Sequence, residues 1–534
     1  MKTIYYNGEV YTGDLPLEEA FIVEDGKFAN VGTNEKIKSL IGDGDLLIDL
    51  NGKFVCSGFN DSHMHLLNYG ASLLSMKLAD HTTSLEELIK YMSDFVLEHP
   101  IKEGSWLVGR GWNQDYFVDI SRMPNRYDLD KVSTTYPIVI TRACGHCLVT
   151  NSKVLELLNI SADMSCLGGE IGVQNGELDG RFFDNAMDIV YKAIPLPSKN
   201  EIRDMIYIAC KELNKYGITS CQSDDYCVYH DIPFEIINEV YRELEENGEL
   251  TVRVYEQSNF ADLASLKEFV EKGNVTGVGT NLFKIGPLKM LGDGALGSYT
   301  AYLSRPYKDN PSTNGLLVFS KETMDEMISY ANRNNMQVAV HAIGDACLDM
   351  VLSSIEKALK EYPRKDHRHG IVHCQITRPD QLKKIKDLNL HVYAQSIFLD
   401  YDNQIVEKRV GKDLASTSYS WKTLMKDGVS LSNGSDCPVE LPDVLKGMQC
   451  GITRTSLHGG SPYLLSEAFT VKEALDSYTI KGAEASFEEN IKGKICEGML
   501  ADFVILGQNL FEVDPFKIKD IPVLETYLTG KKVY

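Results

Sequence analysis

Short apolar runs that end in polar side chains alternate along this chain with stretches whose apolar positions recur every three or four residues. The runs predict strands at Ile218 to Gln222, Thr251 to Glu256, Phe283 to Leu291, Gln337 to His341, Gly370 to His373, His391 to Gln395 and Val429 to Asn433. A further run, Lys53-Phe54-Val55-Cys56, reads as the body of an opening strand that ends at the His63/His65 pair. The helical spacing predicts helices at Glu201 to Tyr216, Pro233 to Asn247, Leu263 to Lys272, Lys321 to Asn334, Cys347 to Tyr362 and Pro379 to Leu388. Units of this kind build α/β folds on a parallel sheet, and eight of them predict a distorted (β/α)8 TIM barrel.

The two ends of the chain follow another pattern. Ile4 to Tyr6, Glu9 to Tyr11, Ala20 to Val23 and Leu46 to Leu50 are short strands punctuated by Asn7-Gly8 and Asp25-Gly26. The same style returns at Gly498 to Leu506, Val523 to Leu528 and Val533-Tyr534. The expectation is one composite β-sandwich domain from residues 1–55 and 490–534, beside a barrel domain at 56–489. Residues from about 68 to 198 interrupt the barrel rhythm and are expected to form an inserted cap that sets specificity, since loops at this face of a barrel build substrate pockets. That insert carries the turn-rich Gly168-Gly169-Glu170-Ile171-Gly172.

A barrel of this type places its chemistry at the carboxyl ends of its strands. Those ends hold His63 and His65 on the first strand, Lys289 on the fourth, His341 on the fifth, His373 on the sixth and Asp436 just past the eighth. Residues two apart on a strand share a face at roughly 6–7 Å, so His63 and His65 can converge on one ion. His369 shares the face of His373 but lies ~13 Å back along the strand, which makes His373 the candidate. Lys284 and Lys289 stand at odd spacing across Gly286-Pro287, with Lys289 nearer the mouth. An ammonium only donates, so Lys289 is either a partner for Asp293 or Asp61, or a metal ligand after reaction with carbon dioxide.

Composition narrows the partners. The 534 residues, 43% hydrophobic and 24% charged, suit a globular protein with a large core. Asp and Glu outnumber Lys and Arg by 76 to 54, and the net charge of −22 argues against nucleic-acid or anionic-membrane surfaces. Neither a signal-peptide core nor a run of the ~20 apolar residues needed to span a bilayer is present, so the expectation is cytoplasmic, with a homo-oligomer allowed. Cysteines are scattered without framework spacing. Cys144-Gly145-His146-Cys147 has the form of a dithiol redox centre but lacks the strand-to-helix setting such a centre needs.

The chain resembles the amidohydrolase superfamily, and within it amidohydrolase family 3, the branch of YtcJ-like proteins and N-substituted formamide deformylase. The marks are Gly58-Phe59-Asn60-Asp61-Ser62-His63-Met64-His65, the run Lys289 to Ser298, His341-Ala342-Ile343-Gly344-Asp345, the run Arg368 to Gln375, and Ser435-Asp436-Cys437-Pro438-Val439. The resemblance covers nearly the whole chain. It implies that His63 and His65 hold one metal with Asp436, that His341 and His373 hold a second, and that a carboxylated Lys289 bridges them. Cys56-Ser57 stands where the family commonly has proline, and Val372 where it often has glutamate. Neither change removes a ligand.

The implied function is hydrolysis of a C–N bond other than a peptide bond, in an amide or an N-acyl or N-formyl amine, through a metal-bridged hydroxide. Two divalent ions, with Zn2+ the first choice and manganese, iron or cobalt also suited, lower the pKa of a shared water. Asp436 is the catalytic residue that takes its proton and passes it to the leaving nitrogen. Trp112, His146 and Asp293 are the candidate substrate residues, and Asp293 also suits the orienting of a ligand. Two other readings compete: a one-metal deaminase of a cyclic amidine, and a non-catalytic regulatory or binding protein on the same fold.

Overall fold

The computed structural model describes residues 2–98, 104–144, 146–164, 166, 169–229 and 231–534, so Gly145 of the dithiol-like tetrad and Gly168 of the turn-rich segment lie outside the described residues. The chain forms two compact units, Met1–Tyr69 with Ile206–Tyr534, and Gly70–Met205.

In the first unit, eight parallel strands follow one another around a barrel: β1 Phe59–Met64, β2 Ile218–Ser223, β3 Arg253–Asn259, β4 Phe283–Leu291, β5 Val338–Ala342, β6 Gly370–His373, β7 His391–Ala394 and β8 Leu431–Asn433. Most of their residues are buried, as expected of parallel strands covered on both faces. The seam between the last strand and the first is tied at the mouth, where Asp436 N donates to His63 O at 2.8 Å and His65 N to Cys437 O at 2.8 Å. The intervening helices, among them Phe234–Glu246, Lys321–Arg333 and Asp345–Glu361, fall within a residue or two of their expected positions.

The opening strand is a correction. Phe54–Ser57 does not belong to the barrel but pairs with Phe503–Leu506 and Glu9–Val10 in a five-stranded sheet, and β1 starts afresh at Phe59. Between the two strands Gly58 packs so closely on the Thr219 side chain that a Cβ there would collide with it. A four-stranded sheet from the first 49 residues faces the five-stranded one across Tyr5, Phe21, Phe503 and Tyr527. Tyr5 stacks on Phe21 with centroids 4.7 Å apart, and Phe503 on Tyr527 at 4.3 Å.

The second unit holds a six-stranded mixed sheet assembled from strands between Met76 and Asp184. Two apolar clusters pack with it, one around Leu88, Trp112 and Ile140, the other around Leu148, Phe182 and Val190. Among the described residues, no helix is long and apolar enough to cross a membrane.

Candidate metal centre

Four imidazoles meet at the barrel mouth, each with its outer nitrogen anchored. His63 Nδ1 lies 2.7 Å from Gln257 Oε1, and because Gln257 Nε2 donates to Ser62 O at 3.1 Å, the amide presents its oxygen and Nδ1 carries the proton. His341 Nδ1 donates to Asp293 Oδ1 at 3.0 Å, His373 Nδ1 to Gln395 Oε1 at 2.7 Å, and His65 Nδ1 to the backbone oxygen of Asp224 at 3.2 Å. Every Nε2 is thereby left to the interior, the arrangement that second partners impose on metal-binding histidines.

The inner atoms crowd together. Asp436 Oδ1 is 3.3 Å from His63 Nε2 and 3.1 Å from His65 Nε2, and His341 and His373 have ring centroids 4.4 Å apart. One donor atom each from His63, His373 and Asp436 lie within 4.8 Å of one another. With its proton on Nδ1, His63 turns a lone pair towards a carboxylate oxygen, acceptor against acceptor. A cation relieves that opposition, so the donor set fits a divalent metal.

The electrostatics agree. Burial, reinforced by the charge of Lys289, pushes His63 down to about 4, and burial with the neighbouring His341 holds His373 well below its ordinary value. Burial also opposes the charging of His65, but the hydrogen bond to Asp436 and the charge of Asp224 carry it up to about 9. Against the same burial, the His63 and His65 rings keep Asp436 anionic well below the usual carboxylate range, with the donated hydrogen bond coming from His65 Nε2. Burial raises Asp61 to about 7, although it accepts from Ser435 N at 3.0 Å and His63 N at 3.3 Å and so fixes β1 against the loop after β8.

Lys289 is fully buried, and its partner is neither Asp293 nor Asp61 but Asp224, with Nζ 3.5 Å from Oδ2. Asp224, just past β2, also accepts from Asn259 Nδ2 at 3.0 Å and Cys227 Sγ at 3.2 Å, and burial opposes its charge less than Lys289 and His65 favour it. Lys284 pairs instead with Glu488 at 2.8 Å. An extra residue in β4 opposite β3, where Glu256 and Ser258 face Ile285 and Leu288, resets the alternation between the two lysines. His369 is held away from the mouth by Asn332 and the Val338 N–H.

The expected substrate residues fare differently. Asp293 accepts from His341 Nδ1, Ile343 N, Gly344 N and Tyr302 N, which orients the histidine ring. Trp112 is completely buried in the core of the inserted unit and donates to Ile140 O at 3.1 Å, so packing accounts for it. His146 is exposed and contacts Asp184 Oδ1 at 3.0 Å. Cys144 is an exposed thiol and Cys147 a buried one. Gln257, Gln395 and Asp224 escaped the sequence reading, although each is a polar residue at the carboxyl end of a barrel strand.

Barrel, clustered imidazoles and a shared carboxylate define a barrel protein with a candidate metal site at its mouth. The amidohydrolase family model matches residues 46–534, and the chain belongs to that family. It is 33% identical over 544 aligned positions to YtcJ of Bacillus subtilis (strain 168), with 100% of this chain and 99% of that one covered. It is 23% identical to the N-substituted formamide deformylase of Arthrobacter pascens, covering 96% and 94%. An uncharacterized metal-dependent hydrolase from Pyrococcus furiosus superposes with a TM-score of 0.79 at 28% identity, over 96% of this chain and 100% of that one.

Proposed function

We propose that the protein hydrolyses the C–N bond of an amide, an N-acyl or N-formyl amine, in a metal-dependent reaction. The observation that carries the reading is His63 Nε2 facing Asp436 Oδ1 at 3.3 Å while its own proton is engaged by Gln257. His63, His65 and Asp436 would hold one divalent ion, His341 and His373 a second, and a carboxylated Lys289 would bridge them. Zinc suits these ligands. Bound there, the ions supply Lewis acidity at the carbonyl oxygen and lower the pKa of water.

The chain's own groups do the rest. Asp436 is anionic and faces the imidazoles through Oδ1, leaving Oδ2 to accept a proton from the attacking water. The new C–O bond forms as that proton moves. Asp436 then returns it to the nitrogen as the C–N bond breaks, releasing an amine and a carboxylic acid. Carboxylation would exchange the Lys289 ammonium for an anion beside Asp224, which requires a cation within reach of both. The deformylase relative supports formamides and related amides as the compounds to try first, and the exposed Cys144 thiol suits a cytoplasmic setting.

A second reading, one metal and an uncarboxylated lysine as in a deaminase of a cyclic amidine, draws on the Lys289–Asp224 ion pair. Elemental analysis of protein purified without chelator in bicarbonate, with Lys289→Ala in parallel, separates them. About two metals per chain, falling in the variant, together with turnover of N-formyl or N-acyl amines, is the expected result. About one, unchanged in the variant, selects the one-metal form. No tightly held metal in either protein overturns both.

A further inference from the structure

A group of hydrogen-bond acceptors lies beside the centre, on the loops that follow β7 and β8. The Phe398 ring stacks on His373 at 5.8 Å, and the next turn, Leu399–Asp402, carries Asp400 and Asp402. Glu440 stands four residues beyond Asp436, where burial and then the charges of Asp400 and Asp402 raise its pKa. Asp402 accepts from Tyr419 Oη at 2.8 Å and Asp400 from Ser456 Oγ at 2.7 Å and Leu457 N at 2.6 Å. Glu440 has no hydrogen bond or ion pair among the described residues. The cations in reach are spent or remote: Lys446 pairs with Asp443 at 3.3 Å, and exposed His458 is 4.0 Å from Asp400.

A second, independent feature points the same way. Gln375, two residues past His373, is 1% exposed. Its Nε2 reaches Asp402 Oδ2 at 3.4 Å, and its Oε1 finds no donor. A buried carbonyl oxygen without a donor, on an amide whose nitrogen already meets the Asp402 carboxylate, asks for an N–H donor, and the neighbouring acids favour one that is positively charged.

We propose that Glu440, Asp400, Asp402 and Gln375 form a subsite for an alkylammonium group, so that the preferred amide is one whose amine half carries a second, free amine. This deepens the amide-hydrolase reading and rests on it. Glu440 supplies the unpartnered charge, Gln375 Oε1 accepts an N–H, and Phe398 links the His373 ring to the turn that carries Asp400 and Asp402.

The test compares mono-N-formyl and mono-N-acetyl diamines with N-alkyl amides of equal length and with the corresponding ω-amido carboxylates, on metal-loaded protein. The expected kcat/KM favours the cationic series over the neutral one by about tenfold or more, with the anionic series last. Glu440→Gln brings the cationic-to-neutral ratio close to one, and Glu440→Lys turns the preference towards the carboxylates. Calorimetric binding of the free diamine to wild type and Glu440→Gln reads the subsite without turnover. Neutral amides cleaved as well as cationic ones, or a ratio indifferent to Glu440→Gln, overturn the subsite and leave the hydrolase standing. Diamine binding that depends on Glu440 while no amide is cleaved keeps the subsite and removes the hydrolase.

Discussion

The centre depends on hydrogen atoms that point away from it. Because Gln257 and Gln395 hold the Nδ1 protons of His63 and His373, Gln257→Leu or Gln395→Leu frees a ring to turn and to change tautomer. Metal affinity should fall by about 10–100-fold in either variant, read by competition with a chromogenic chelator. Asp436→Asn keeps the shape but loses the anion, and kcat should drop by more than ~10²-fold even at saturating metal. His65 adds a pH signature. Its folded pKa of about 9 lies above the ordinary value for histidine, so its contribution to the stability of the metal-free protein is full below about pH 6.5 and is lost as pH rises through 9. Metal at Nε2 must displace that proton. Calorimetry in buffers of different ionisation enthalpy should show about one proton released from His65 at pH 7 and almost none above pH 10, while His63, held at about 4, releases none.

Between elements, one buried ion pair joins the barrel to the terminal sheets. Arg253, the first residue of β3, donates through Nε and Nη2 to both oxygens of Asp502, at 2.6 and 2.8 Å, and reaches Thr529 Oγ1 at 2.7 Å. Arg253→Met leaves Asp502 charged and buried, and urea unfolding should show a loss of about 3–5 kcal/mol. The double variant with Asp502→Leu should recover much of that loss. The same junction shows why strands were readable in the sequence while one boundary was not. Phe54–Ser57 and Phe59–Met64 are both buried throughout and separated by one glycine, so the apolar pattern runs through the point where the chain changes sheets. The side chains that cluster at the mouth were legible because each lies at or just past a strand's carboxyl end. Asp224 was not, since Ser223-Asp224-Asp225 reads as an ordinary turn until β4 brings Lys289 against it. The sheet of the inserted unit was unread for a related reason: its strands mostly pair with their sequence neighbours, but they mix parallel with antiparallel directions across long irregular connections, so no repeated unit marks them.

At the scale of the whole molecule, the inserted unit begins and ends at one place. A Cβ on Gly70 would run into the backbone of Met205, so the helices Leu66–Leu74 and Lys199–Lys215 touch where the chain leaves and returns. All six sheet strands of the insert lie between those helices, and both of its apolar clusters are made from its own residues. The metal-centre side chains, the residues that anchor them and the acidic loops after β7 and β8 all belong to the other unit. Replacing residues 75–198 with a flexible linker of about six residues should therefore leave a protein that unfolds cooperatively and still takes up metal, since a helix–helix connection of that length is ordinary. Circular dichroism and elemental analysis check both halves of the expectation. Metal retained with amide turnover lost would assign the insert to substrate handling. Metal lost with the fold intact would mean that the centre needs the insert to form, and would overturn this division of labour.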